Sequence, residues 1–179
     1  MEKISNIENK EKIKITKMHV LVHPGYLEDV TGKETGNIAK GQALFEKYKK
    51  VAQNLPKNEI MVILIHNRPE RFRKDFKEGA NYVKNIKLIQ QETQPNQVII
   101  LTSNTVPFSG ADERYDNEAL EKIKSIAQNR GYEISSEAEV DVFGETHDEC
   151  VQEAFMGIKN TGFFKTENIH IVKELTDKF

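Results

Sequence analysis

Runs of β-branched and apolar residues recur along this chain, and between them the apolar positions fall three and four apart. Met18-His19-Val20-Leu21-Val22 is such a run, and it stops at His23-Pro24-Gly25, where proline cannot continue a hydrogen-bonded ladder. Ile38, Leu44, Phe45, Tyr48, Val51, Ala52 and Leu55 then follow helical spacing up to Pro56. Ile60-Met61-Val62-Ile63-Leu64-Ile65 is apolar without alternation, which predicts a strand covered on both faces, and it breaks at His66-Asn67-Arg68-Pro69. Phe72, Phe76, Ala80, Val83, Ile86 and Ile89 predict a long amphipathic helix closed by Pro95. Val98-Ile99-Ile100-Leu101 is a third buried strand, followed by a loop through Pro107, Ser109 and Gly110 and a helix carrying Leu120, Ile123, Ile126 and Ala127 that stops at Gly131. Glu139-Val140-Asp141-Val142-Phe143 reads as the fourth strand, residues 146–159 as the fourth helix, and Ile169-His170-Ile171-Val172 as the last strand.

Strict alternation of strands and helices predicts an α/β protein: a three-layer α/β/α domain with a mainly parallel, doubly wound sheet of about five or six strands. A chain of 179 residues is one domain's worth, and no repeat or low-complexity linker divides it. Residues 1–16 are polar and lysine-rich and read as a solvated arm, with an added strand at Ile13-Lys14-Ile15 as the alternative; residues 17–179 read as the domain.

Charge narrows the partners. Lys and Arg number 26 against 28 Asp and Glu, so bulk charge drives the chain neither to nucleic acid nor to an anionic membrane. The basic stretch Arg68, Arg71, Arg73, Lys74, Lys77 is interleaved with Glu70, Asp75 and Glu78, the pattern of a solvated helix face. No apolar run approaches the roughly 18 residues of a membrane span, and the first residues lead into no signal-like core, so the expected location is the cytoplasm. One cysteine excludes an intrachain disulfide and any multi-thiolate zinc site. Homo-oligomerisation is left open, with Phe163-Phe164 as a candidate contact.

In an open parallel sheet ligands bind beyond the carboxyl ends of the strands, where the strand order reverses. That rule selects His23 after the first strand; His66, Asn67 and Arg68 after the second; Ser103 and Asn104 after the third; and Glu145, Thr146, His147 and Asp148 after the fourth. The expected partner is a small molecule. No glycine-rich phosphate loop follows any strand, so no nucleotide cofactor is expected. A metal site would have to be assembled from His23, His66 and His147 by the tertiary fold, because no short ligand motif is present.

Thr146 and Glu149 have the spacing of a capping box, which predicts a helix beginning near Thr146 with Cys150 in its first turn. The helix dipole would favour the thiolate there, while Glu145, Asp148 and Glu149 would oppose it if they face the sulfur. Cys150 also shares a helical face with Ala154, the pattern of a buried core cysteine.

Val142-Phe143-Gly144 followed by Asp148, Cys150, Val151, Ala154 and Gly157 and then a final strand resembles the isochorismatase-like cysteine hydrolases over about residues 17–176. The resemblance implies a doubly wound parallel sheet and a cysteine at a helix N-terminus that attacks an amide, ester or similar carbon, with an acidic residue two positions before it. Two departures accompany it. The family's base is an aspartate at the end of the first strand, where this chain has His23; and its lysine after the third strand is missing, since residues 96–113 contain none, and neither Arg68 nor Arg114 is in register to replace it. Cys150 as nucleophile, His23 as replacement base, Asp148 as an orienting group, and the backbone amides of Glu145 and Thr146 as oxyanion donors form the catalytic expectation. A non-catalytic ligand- or partner-binding domain on the same fold is the alternative, and a metal-assisted hydrolase using the strand-end histidines is a third reading.

Overall fold

The computed structural model describes residues 11–25, 38–66, 80–94, 96–103, 108–145 and 147–177. Strands β1 (Ile13–Val22), β2 (Glu59–His66), β3 (Val98–Ser103), β4 (Tyr132–Gly144) and β5 (Ile169–Thr176) alternate with helices α1 (Ile38–Gln53), α2 (Ala80–Glu92), α3 (Glu113–Asn129) and α4 (Gln152–Asn160). The strands form one sheet in the order β3-β2-β1-β4-β5, and every neighbouring pair is parallel. This is a three-layer α/β fold with a Rossmann-like sheet, as the alternating pattern predicts.

The period of two within each strand divides the core. Met18, Val20 and Val22 of β1, Ile60, Val62 and Leu64 of β2, and Val140 and Val142 of β4 pack with Leu120 and Ile123 of α3 and Ala154 and Ile158 of α4. Leu21, Met61, Ile63 and Phe143 point the other way, onto Leu44, Phe45 and Tyr48 of α1 and Ile86 and Ile89 of α2. Apolar runs without alternation are what two covered faces require.

The structure corrects the sequence reading at three strand boundaries. β1 starts at Ile13, so the alternative of an added strand at Ile13-Lys14-Ile15 holds over the solvated arm, because Ile13 and Ile15 pair with Tyr132 and Ile134 of β4. β4 correspondingly begins at Tyr132 rather than Glu139; the register shifts in between, β1 advancing from Ile15 to Lys17 while β4 advances from Ile134 to Glu139. Ser135, Ser136 and Glu137 occupy that irregularity, which breaks the apolar pattern without ending the strand. β5 likewise runs to Thr176, advancing from Ile171 to Thr176 while β4 advances from Val142 to Gly144. Among the described residues, no helix is long and apolar enough to cross a membrane.

Candidate functional site

β1 is followed in space by β2 and β3 on one side and by β4 and β5 on the other, so the order reverses between the carboxyl ends of β1 and β4. In open parallel sheets such a switch point is where ligands bind. Val22 ends β1 directly opposite Gly144, the last residue of β4. Gly144 has φ +129°, and a Cβ on it would lie 2.1 Å from the Val22 carbonyl oxygen, so only glycine permits this approach. The next amide, that of Glu145, donates to the Val22 carbonyl at 2.9 Å, and the Asp177 amide donates to the Gly144 carbonyl at 3.3 Å.

His23, at the end of β1, is buried and left-handed, with φ +46°. Such a conformation is uncommon outside glycine and costs energy unless the surroundings enforce it. Its amide donates to the Leu64 carbonyl of β2 at 3.2 Å. Two residues on, the Gly25 amide donates to Oε1 of Glu145 at 3.1 Å. The turn is thus tied to the strand on each side of it. Glu145 is completely buried.

Around this turn lies a polar group from other elements. Tyr48, in the middle of α1, is fully buried; desolvation first, and then the nearby charges of Glu145 and Asp177, hold its hydroxyl pKa well above the ordinary phenol range. Burial and the adjacent Glu145 carboxylate therefore set the behaviour of that hydroxyl. Asp177, also buried, forms an ion pair with Lys40 of α1.

Of the expected site residues, the structure brings His23 and Glu145 to one place, although 120 residues separate Gly25 from Glu145 in the sequence. His66 and Ser103 are the last residues of β2 and β3 and stand opposite one another in register, on the same edge of the sheet. Asn67, Arg68, Asn104 and Thr146 lie outside the described residues, and for His147 and Asp148 the description extends to the backbone. The helix after β4 differs from expectation: residues His147–Val151 form a wide π turn, and the α-helix proper starts at Gln152 after Val151, which supplies no side-chain cap. Cys150 therefore belongs to the π turn, half-buried and packed against the core on the α3 and α4 side. Such widened turns occur mostly as single insertions in helices and often at functional sites. The expectation that the Glu145 amide would donate to an oxyanion is corrected, since the Val22 carbonyl already takes that proton.

Tyr48, Asp177 and Lys40 escaped the sequence reading. Tyr48 carries the same helical spacing as its apolar neighbours and registers there as core. Asp177 follows a strand carboxyl end, as the selecting rule requires, but the apolar run that marks the strand in the sequence ends at Val172. Among the described residues, no group of three or more His, Cys, Asp or Glu is arranged to hold a metal ion; the side chains of His66 and His147 lie outside that description. Comparison with protein-family models, curated proteins and solved structures finds no match for this chain.

Proposed function

We propose that this protein hydrolyses a small amide or ester held at the β1/β4 switch point, as an isochorismatase-like hydrolase with Cys150 as nucleophile and His23 in place of the usual aspartate base. The observation that carries this reading is the adjacency of β1 and β4: His23 immediately follows one strand, and the first helical turn after the other contains Cys150. In sheets of this topology ligands bind beyond the strand ends that His23 and the Cys150 turn follow, which supports the reading.

In the proposed reaction His23 accepts the Cys150 proton and the thiolate attacks the carbonyl carbon, forming a C–S bond. The carbonyl reforms as the bond to the leaving nitrogen or oxygen breaks, and the leaving group takes the proton from His23. Water then attacks the thioester and gives up a proton through His23 to the departing thiolate, which releases a carboxylic acid and restores the thiol.

Because the chain has a single thiol, alkylation by iodoacetamide from about pH 5 to 10 reports on Cys150 alone. An activated nucleophile labels in the folded protein with an apparent pKa below the ordinary 8.5 or so. Cys150→Ala then abolishes hydrolysis across a panel of small amides and esters. Activity surviving that change, or labelling confined to denatured protein, refutes the assignment.

The packing of Cys150 against the core favours a second reading, a domain that binds a small ligand without chemistry. It requires that ligand-induced thermal stabilisation persist in Cys150→Ala and fall in His23→Gln.

A further inference from the structure

We infer that Glu145 is the positioning residue of this site: its buried carboxylate holds the turn after β1 so that His23 is presented in one fixed orientation. The inference rests on reading the switch point as the functional site and gives Glu145 a different task from the substrate contact expected of it.

The turn His23-Pro24-Gly25 has only two backbone donors, because proline has none. Both are used. The His23 amide goes to Leu64 of β2, and the Gly25 amide goes to the Glu145 carboxylate beyond β4. Glu145 is itself fixed by its own amide on the Val22 carbonyl, so its backbone anchors on the end of β1 while its side chain reaches back to Gly25. Val22, His23, Pro24 and Gly25 are therefore closed into a loop by one residue. His23 sits inside that loop at φ +46°, a conformation that persists only where its surroundings enforce it. Gly144 makes the closure possible, since any side chain there would strike Val22. Tyr48 walls the carboxylate from the α1 side. A fully buried carboxylate is costly to desolvate, and one of its oxygens accepts the Gly25 amide, an arrangement that suits a group whose partner must not move.

The side-chain geometry separates positioning from generic stability. Glu145→Gln keeps an oxygen acceptor at the same reach, whereas Glu145→Asp withdraws it by one methylene. Three quantities are measured by NMR on the full chain. One is the scalar coupling across the hydrogen bond from the Gly25 nitrogen to the Glu145 carboxyl carbon, the second is hydrogen exchange of the Gly25 amide, and the third is the titration of the His23 ring, identified by its loss in His23→Gln. The expected results are a detectable coupling in the wild type, near wild-type Gly25 exchange in Glu145→Gln, and Gly25 exchange faster by roughly tenfold with a displaced His23 titration in Glu145→Asp, which keeps the charge, while the Val20 and Ile63 amides stay unchanged. The inference is overturned if the wild type lacks the coupling, or if Gly25 exchanges as fast in Glu145→Gln as in Glu145→Asp, or if Glu145→Asp leaves His23 unmoved. Should Glu145→Asp fail to fold, the wild-type coupling and the Gly25 exchange in Glu145→Gln still decide. Cys150 alkylation, run in parallel on the wild type, tests the hydrolase reading separately: an inert thiol refutes that reading and leaves the role of Glu145 to be judged on Gly25 and His23.

Discussion

Replacing Gly144 with alanine tests the architecture of the switch point with a single methyl group. Two costs arise. The first is conformational: φ is +129° at Gly144, and holding a side-chain-bearing residue in such a region costs about 1–3 kcal/mol. The second is steric, because the new Cβ would fall 2.1 Å from the Val22 oxygen and 2.7 Å from the Val22 nitrogen, both backbone atoms that cannot swing aside. Relief requires the ends of β1 and β4 to separate, which removes the bond from Glu145 to Val22 and with it the bond from Gly25 to Glu145. At about 0.5–1.5 kcal/mol each, these add roughly 1–3 kcal/mol. The expected loss is about 2–6 kcal/mol, a large part of the 5–15 kcal/mol that typically holds a domain together. Gly131 is the matched control: its φ is +86°, yet a Cβ there would meet nothing within 4 Å, so Gly131→Ala incurs the conformational cost alone. Urea unfolding of both variants and the wild type gives the two differences, and thermal melting should show Gly144→Ala lower by several degrees more than the control. If the two variants are destabilised equally, the close approach of Gly144 to Val22 does not govern this end of the sheet.

Two further predictions concern pH and salt. Asp116 is buried at the start of α3, accepting the Gly110 amide, and burial raises its pKa above 3.8. The folded state then binds that proton more tightly than the unfolded state, so stability falls as pH rises from about 3.8 to the raised folded value and is flat above it; Asp116→Asn should remove that descent in urea unfolding measured across the acid range. Lys17 pairs with Glu139 at 2.8 Å and with Asp141 at 3.3 Å, and the hydrogen bond to Glu139 leads the rise in its pKa above 10.5, while Glu139 is lowered below 4.5. The pair thus contributes fully between those values; its share is lost as pH falls through the folded Glu139 pKa or rises through that of Lys17. Lys17→Met should cost less than about 1 kcal/mol at neutral pH, and less again in 1 M salt, as measured by unfolding midpoints.

The helices and strands were largely legible because burial on both faces writes itself into local sequence: Ile60 to Ile65 is continuous apolar residue after residue, and Leu120, Ile123 and Ala127 keep helical spacing. Where the strand wanders from its partner the signal fades, which is why the first half of β4, with Ser135, Ser136 and Glu137, and the end of β5 were missed. The strand-end rule found His23 and Glu145 because it needs only the strand boundaries.

What no local pattern could supply is which strands lie side by side. The order β3-β2-β1-β4-β5 depends on the direction of each crossover, and that is a property of how whole helices pack on the sheet. It alone sets Gly144 against Val22, carries the Glu145 carboxylate to Gly25, and brings Tyr48 and Asp177 beside it. Sequence determined the layers and the strand ends that the selecting rule needs; tertiary structure decided the neighbours, because pairing between distant strands is fixed by backbone hydrogen bonds that every residue type but proline can make.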